Sequence, residues 1–141
     1  MTMRRLILDT CAVIDLMTDC DSLDTGFWYI IDDPENLLYI SAETQKELIV
    51  NFNTRKLLPK YWNSAEEMLK AIREEIEVET LPLTEKVMFT YSRLQINEAQ
   101  EHRDPSDHVI ISHAISEHLT LLSSDEKFPF YRHQGLDLIE Y

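Results

Sequence analysis

Four acidic residues have the chemical type expected of a divalent-metal site: Asp9, Glu47, Asp107 and Asp125. Carboxylate oxygens are the ligands that hard cations such as Mg²⁺ and Mn²⁺ prefer. Such a cation lowers the pKa of a bound water and stabilises the leaving oxygen when a phosphodiester is hydrolysed. Without a cation, two carboxylates about 4 Å apart repel by about 4 kcal/mol at an effective dielectric constant near 20. The four acids therefore predict metal-assisted hydrolysis if they converge.

Each of these acids also has an ordinary explanation. Asp9 stands where a strand end or a helix cap is expected, and Glu47 lies on a charged helix that reads as solvated surface. Asp107 complements a helix dipole, and Asp125 in the run SSDE is a typical turn residue. The chemical interpretation depends on the four positions taken together.

Short apolar runs alternate with helical segments along the chain. The predicted strands are residues 5–8, 37–40, 77–81, 119–122 and 136–139. The predicted helices are residues 10–20, 22–31, 41–52, 63–75, 84–99 and a sixth that opens at Asp104. This alternation predicts βαβ units, a mainly parallel sheet and a single α/β domain over residues 1–141.

The predicted elements can bring the acids to one edge. Ligands of open α/β sheets bind beyond the carboxyl ends of the strands. Asp9 ends the first strand, and Asp125 follows the fourth. Glu47 lies two turns into the helix after the second strand, and Asp107 lies in the first turn of a helix capped by Asp104. If strands one and four are neighbours, the four acids meet.

Charge and composition narrow the function. The 141 residues include 26 acids and 13 Lys or Arg, so the net charge is −13. That argues against a protein that coats nucleic acid with a basic surface, and leaves open a carboxylate metal site, a basic partner or plain solubility. No apolar run is long enough to span a membrane, and Asp9 interrupts the apolar start. Cys11 and Cys20 are too few for a disulfide framework, so we expect a cytoplasmic protein.

Five short motifs are spread over nearly the whole chain. They are residues 6–10 (LILDT), 41–48 (SAETQKEL), 102–111 (HRDPSDHVII), 122–128 (LSSDEKF) and Tyr131 ahead of Gly135. Together they resemble PIN-domain proteins of the toxin branch, the VapC-like endoribonucleases of type II toxin–antitoxin pairs. Two positions depart from that pattern, since the family often has a large apolar residue at Ser106 and Arg at His108.

The resemblance implies a fold and a site. The fold would be a PIN-like three-layer sandwich, with a five-stranded, mainly parallel sheet in the order 3-2-1-4-5 flanked by helices. The four acids would be catalytic, with Asp9, Asp107 and Asp125 binding Mg²⁺ (or Mn²⁺) directly and Glu47 acting through water. The residues expected to support this cluster are Asp104, Thr10 and Ser124.

The resemblance also implies partners: an RNA substrate, a cognate antitoxin protein and a second copy in a homodimer. Single-stranded or looped RNA is favoured, because its bases are open to recognition. Two basic groups are candidate phosphate contacts or ordinary surface: Arg55, Lys56 and Lys60, and Lys127, Arg132 and His133. An apolar and aromatic group is a candidate antitoxin groove or simply core: Phe52, Leu57, Leu58, Tyr61 and Trp62.

Three other classes compete with a nuclease. A receiver-like signalling domain needs an acidic pair after strand one, but Thr10 and Cys11 follow Asp9. A phosphatase with an aspartate nucleophile needs a second Asp two positions after Asp9, but that position is Cys11. A non-catalytic PIN scaffold that binds RNA or protein is the third alternative, and the presence of all four acids argues against it.

Overall fold

The computed structural model describes residues 3–18, 23–54 and 61–141. Its five strands are β1 (Arg4–Leu8), β2 (Asn36–Ser41), β3 (Glu79–Leu81), β4 (Thr120–Ser123) and β5 (Asp137–Glu140). Its six α-helices are α1 (Thr10–Thr18), α2 (Thr25–Ile31), α3 (Ala42–Thr54), α4 (Ala65–Ile76), α5 (Glu85–Arg93) and α6 (Pro105–Glu117). Two 3-10 helices cover Glu98–Gln100 and Phe128–Gln134. The predictions made for Cys20, Arg55, Lys56, Leu57, Leu58 and Lys60 lie outside the described residues.

The five strands form one parallel sheet in the order β3-β2-β1-β4-β5. This confirms the predicted fold class and strand order. β1 lies at the centre, where Leu8 pairs with Ile40 of β2 on one side and with Leu122 of β4 on the other. A strand covered on both faces reads as a continuous apolar run, which explains the sequence of β1.

Helices cover both faces of the sheet. Leu6 and Leu8 of β1 pack into a cluster with side chains of α1, α2, α3 and α4. Ile7, which points to the opposite face, packs with side chains of α6 and of the second 3-10 helix. Alternate residues of the central strand thus anchor two cores, and the molecule has three layers.

Helix α5 ends six residues before the predicted end at Ala99, so that boundary was wrong. Leu94 is extended, and the backbone N–H groups that follow donate to side chains of the second 3-10 helix. Gln95 donates to Gln134 Oε1 at 2.8 Å, and Asn97 donates to Tyr131 Oη at 3.2 Å. These tertiary hydrogen bonds replace the helical ones that the sequence pattern predicted.

Within the described ranges, no helix combines the length and the apolar character that crossing a membrane requires.

Candidate active site

Asp9 lies where the carboxyl ends of β1 and β4 meet. Its N–H donates to Leu122 O at 3.3 Å, which continues the pairing of the two strands. The Ser123 hydroxyl donates to Asp9 Oδ2 at 2.5 Å, and the Ala12 N–H donates to Oδ1 at 2.7 Å. One carboxylate therefore caps the first turn of α1 and faces the strand junction as well.

The Asp9 carboxyl is almost completely buried, with 3% of the residue exposed. Burial raises its pKa from the ordinary 3.8 to about 7, because a low-dielectric surrounding disfavours the charged form. The hydrogen bonds from Ser123 and Ala12 lower the pKa, whereas the negative charges of Asp107 and Asp125 raise it. This mutual repulsion places the three carboxylates in one electrostatic site.

Asp107 lies in the first turn of α6, which begins as the sequence predicted. Asp104 caps the helix by accepting the Ser106 N–H at 2.9 Å, and Pro105 is the first helical residue. Burial raises the pKa of Asp107 to about 7. Neighbouring acids raise this pKa further and one lysine lowers it: Asp104, Asp125 and Glu47 against Lys127.

Asp125 follows β4 in a turn that its own hydrogen bonds define. Its N–H donates to Ser123 Oγ at 3.1 Å, and its Oδ1 accepts the Lys127 N–H at 2.8 Å. Ser123 thus contacts Asp9 through its proton and Asp125 through its oxygen. This one hydroxyl links two of the predicted acids.

Three side chains approach closely enough to share a cation. One oxygen of Asp107, one oxygen of Asp125 and one ring nitrogen of His102 lie within 4.8 Å of one another. In the part of the chain that the structure describes, this triplet is the group of side chains whose geometry would allow it to hold a metal ion. Asp9 and Glu47 lie outside the triplet, but the charges of Asp107 and Asp125 raise the pKa of Asp9, and the charge of Glu47 raises that of Asp107.

Glu47 projects from α3 toward the start of α1. The Thr10 hydroxyl donates to Glu47 Oε1 at 2.5 Å and is hydrogen-bonded to the Thr44 hydroxyl at 3.2 Å. Burial is the main cause that raises the pKa of Glu47, and the hydrogen bond from Thr10 lowers it. The charges of Asp104 and Glu43 raise it as well, so Glu47 belongs to the same electrostatic site.

The structure distributes the predicted supporting roles unequally. Thr10 contacts Glu47 directly, and Asp104 is exposed and caps α6. Ser124 is exposed, and the contact expected of it is made by Ser123. The alternation of side chains along β4 was the signal for this, because Ser123 is the strand residue next to Asp9.

His102 is the site residue that sequence reasoning missed. It lies in the segment before α6, and 2% of it is exposed. Its Nε2 is 3.1 Å from Asp107 Oδ2, and its Nδ1 is 2.7 Å from Tyr131 Oη. Burial lowers its pKa. A lone histidine in a loop carries no sequence signal for such contacts.

The two positions that depart from the family pattern have structural roles. The Ser106 hydroxyl donates to Glu43 Oε2 at 2.8 Å, and Lys46 Nζ lies 2.8 Å from the same oxygen, so α6 is tied to α3. His108 is buried and donates through Nε2 to the His102 carbonyl at 2.9 Å. Burial lowers its pKa, so it is a neutral internal group rather than a phosphate contact.

The basic residues near the site differ in availability. Arg132 pairs with Glu140 at 3.1 Å and donates to Leu138 O at 3.0 Å. His133 lies with Nδ1 2.5 Å from the Phe130 carbonyl. The Lys127 charge, by contrast, acts on Asp107. Among the described members of the predicted groups, Lys127 is thus the one whose charge acts on the acids of this site.

Cys11 lies beside the acids but is unsuited to attack. Burial, followed by the charge of Asp9, raises the pKa of its thiol to about 12. A cysteine nucleophile must be a thiolate, so Cys11 stays protonated and inert near neutral pH.

The donors at this edge suit a hard divalent cation. The site offers carboxylate oxygens, and burial raises the pKa values of Asp9 and Asp107 to about 7, with a further rise from neighbouring negative charges. A bound cation would relieve that repulsion, since opposite charge favours the ionised form. The residues present thus fit metal-assisted chemistry at a phosphate.

Comparison with known proteins agrees with this architecture. The family model of the PIN domain matches residues 6–134. Three solved structures resemble the chain over nearly its full length. VapBC2 from Rickettsia felis, bound to a promoter DNA fragment, has a TM-score of 0.72 at 21% identity, covering 96% of this chain and 98% of that chain. VapBC-1 from nontypeable Haemophilus influenzae has a TM-score of 0.71 at 22% identity, covering 96% and 97%.

The third structure is VapBC-5 from Mycobacterium tuberculosis, a member of the VapBC family of toxin–antitoxin systems. Its TM-score is 0.61 at 20% identity, with 97% of this chain and 98% of that chain covered. No curated protein sequence matches this chain.

Proposed function

Because this chain belongs to the PIN-domain family, we propose that it is a metal-dependent endoribonuclease and the toxin component of a toxin–antitoxin pair. The observation that carries the proposal is the convergence of Asp107 and Asp125 within 4.8 Å, beside buried Asp9, whose pKa the charges of both raise. A bound cation would offset the repulsion between these like charges.

The proposed ligands of Mg²⁺ or Mn²⁺ are Asp9, Asp107 and Asp125, with Glu47 reached through water. When bound, such a cation lowers the pKa of a coordinated water and offsets charge on the phosphodiester. Each carboxylate keeps acceptor capacity for this. Asp125 uses Oδ1 for the Lys127 N–H, which leaves Oδ2, and Asp107 uses Oδ2 for His102, which leaves Oδ1. Both oxygens of Asp9 accept one hydrogen bond and retain a lone pair.

Glu47 has the geometry to orient the attacking water. Thr10 holds Oε1, so Oε2 remains as an acceptor for a water proton. The raised pKa of Glu47 also makes it a better base than an exposed glutamate. Thr10 therefore fixes the orientation, and Glu47 receives or steers the proton.

The proposed substrate is single-stranded or looped RNA. The net charge of −13 repels a phosphate backbone, so substrate binding depends on local positive charge and on the cation. Lys127 supplies local charge beside Asp107 and Asp125. We expect Lys127→Ala to raise KM much more than it lowers kcat.

The proposed antitoxin contact is a groove at the amino ends of the strands, at the end of the sheet opposite to the acids. Of the predicted antitoxin group, Phe52 and Trp62 pack against the core and Tyr61 is 76% exposed. A separate cavity of about 810 Å³ opens beside the amino ends of β2 and β3. Its apolar wall includes Leu16, Met17, Trp28, Ile31 and Ile76, and its charged rim includes Asp32, Asp33, Glu75, Glu77, Glu79 and Arg73.

Five acids against one arginine favour a partner segment with apolar anchors and basic flanks. A segment seated only there would not reach Asp9, so inhibition requires the antitoxin chain to continue toward the acids. The test is binding of the protein encoded by the adjacent gene, with Trp28→Ala and Glu79→Lys as variants. We expect both to weaken the complex, and unchanged affinity would place the contact elsewhere.

The function itself is tested by incubating purified protein with looped RNA, such as mixed tRNA, in Mg²⁺, Mn²⁺ or EDTA. We expect cleavage with either cation and none in EDTA. Asp107→Asn and Asp125→Asn should each slow cleavage by about 100-fold or more, since metal-assisted stabilisation is worth several kcal/mol. Asp137→Asn, an exposed change at the start of β5, is the matched control.

Cleavage that persists in EDTA, or full activity of both variants, would refute the metal mechanism. Metal binding and RNA binding without any cleavage would favour the non-catalytic scaffold instead.

A further inference from the structure

His102 stands between two groups whose protons can be assigned. Tyr131 is fully buried, and its hydroxyl oxygen accepts the Asn97 N–H at 3.2 Å. His102 Nδ1 lies 2.7 Å from the same oxygen. On its other side, His102 Nε2 lies 3.1 Å from Asp107 Oδ2.

The direction of these hydrogen bonds follows from counting protons. The Tyr131 hydroxyl has one proton, and among the described residues its only acceptor is His102 Nδ1. A proton on Nδ1 would face the hydroxyl and leave a buried O–H without an acceptor, which is unfavourable. Tyr131 therefore donates to Nδ1, and the imidazole proton lies on Nε2, facing Asp107.

We propose that His102 is a positioning residue that donates from Nε2 to Asp107 Oδ2 and so presents Asp107 Oδ1 to the catalytic cation. This inference rests on the proposed metal site. Ligating carboxylates are commonly held by such outer hydrogen bonds, which orient them for the metal.

The same distances would also suit a different role. If Nε2 carried no proton, His102 could itself bind the cation together with Asp107 and Asp125. That arrangement requires the proton on Nδ1, where it would meet the Tyr131 hydroxyl. Because the Asn97 N–H donates to Tyr131 Oη, the hydroxyl proton of Tyr131 is left to point at His102 Nδ1, which keeps the imidazole proton on Nε2.

The ring is also held in place by its surroundings. The His102 carbonyl accepts His108 Nε2–H at 2.9 Å, and the two rings meet edge to face with centroids 4.6 Å apart. Phe128 packs near the ring at 5.8 Å. Because His102 is held at its backbone and at both ring nitrogens, its hydrogen bond restricts the orientation of the Asp107 carboxylate.

The first experiment reads the tautomer in metal-free protein by long-range ¹H–¹⁵N correlation of ¹⁵N-histidine. The His102→Asn variant identifies the signal among the five histidines. We expect a proton on Nε2 that remains when Mg²⁺ saturates the protein. A proton on Nδ1, or loss of the Nε2 proton on adding Mg²⁺, would overturn the proposal and identify His102 as a ligand.

The second experiment measures Mg²⁺ affinity by calorimetry. His102→Asn and Tyr131→Phe should raise the Kd by about 10–100-fold. His102→Gln should stay close to wild type, because its amide nitrogen can take the place of ring Nε2. The controls are His118→Asn at the exposed end of α6 and Tyr29→Phe, at a residue that is 76% exposed.

Unchanged Kd values in both His102→Asn and Tyr131→Phe would contradict the positioning role. If wild-type protein bound neither Mg²⁺ nor Mn²⁺, the proposed function would fail. The tautomer in metal-free protein would still decide whether His102 donates to Asp107.

Discussion

The Ser123 hydroxyl donates to Asp9 Oδ2 at 2.5 Å where β1 and β4 end side by side, although the two residues are 114 positions apart in sequence. This hydrogen bond lowers the pKa of a carboxyl that burial raises to about 7. It also couples Asp9 to Asp125, whose N–H donates to Ser123 Oγ. A single hydroxyl thus helps to keep the central acid ionised and holds the neighbouring turn.

Replacement of this hydroxyl should weaken metal binding in a pH-dependent way. In Ser123→Ala the pKa of Asp9 should rise above about 7, because a hydrogen bond to the ionised form is lost. Mg²⁺ affinity should then fall most near neutral pH and recover at higher pH. Calorimetric titration across pH measures this. Ser124→Ala, the exposed neighbour, is the matched comparison, and a larger effect there would restore the role first predicted for Ser124.

Loss of the Thr10 hydroxyl should affect turnover more than substrate binding. Thr10→Val keeps the shape but frees Glu47 Oε1 and removes a bond of 2.5 Å. We expect kcat to fall by about 10–100-fold, as is typical when a positioned general base is disturbed, with KM little changed. Steady-state cleavage kinetics measure both constants. Thr18→Val, at the other end of α1, removes a hydroxyl that donates to Ile14 O, and this variant should behave as wild type.

The contribution of Asp9 and Asp107 to the stability of metal-free protein should fall as the pH rises. Asp9 and Asp107 have pKa values of about 7 in the folded protein, against 3.8 ordinarily. Between about pH 4 and about pH 7 these two carboxyls bind more protons in the folded state than in the unfolded state, so their contribution to the free energy of unfolding decreases with pH.

Thermal unfolding at several pH values in EDTA tests this sign. Mg²⁺ should raise the Tm more at pH 8 than at pH 5, because it offsets the ionised acids. The Tm of Asp9→Asn relative to wild type should rise with pH, because the variant lacks the destabilising ionisation of Asp9, whereas the difference between Glu35→Gln, on an exposed turn, and wild type should stay constant. A difference between Asp9→Asn and wild type that does not change with pH would contradict the assignment.

Much of this site could be predicted because helix caps are local sequence features and because the strand order is that of the family which the sequence resembles. Asp9 follows β1 and Asp125 follows β4, and these two strands are neighbours in the sheet. The cap at Asp104 places Asp107 in the first turn of α6. These features depend on apolar runs and on residue types next to them. For this reason the order of strands and the position of the acids followed from the sequence and the family resemblance.

The remainder depends on contacts between distant segments. Whether Ser123 or Ser124 meets Asp9 depends on the last strand residue of β4, which a sequence locates only to within a residue or two. The role of His102 depends on Tyr131, a residue 29 positions away. The end of α5 likewise depends on side chains of the second 3-10 helix. The contacts of His102 and of the segment after α5 leave no periodic signal in the sequence.

The link between α6 and α3 should contribute measurably to stability. Ser106 donates to Glu43, a residue that is 6% exposed and that also pairs with Lys46. Ser106→Ala should lower the free energy of unfolding by about 1–3 kcal/mol, since a buried charged acceptor loses a partner. Urea denaturation measures the change. Ser92→Ala on exposed α5 is the control, and equal effects would show that the link contributes nothing.

Self-association should involve the exposed apolar side chains of α3 and α5. Val50 and Phe89 are each 53% exposed, and Met88 is 38% exposed. Burial of such side chains against a second copy is favourable by roughly 25 cal/mol per Å² of apolar surface, less the cost of association. We expect a dimer in sedimentation velocity, and Phe89→Ser should shift it toward monomer. Tyr29→Ser on α2, at a residue that is 76% exposed, should leave the dimer intact. A wild-type protein that stays monomeric at high concentration, or equal dissociation by both variants, would contradict this interface.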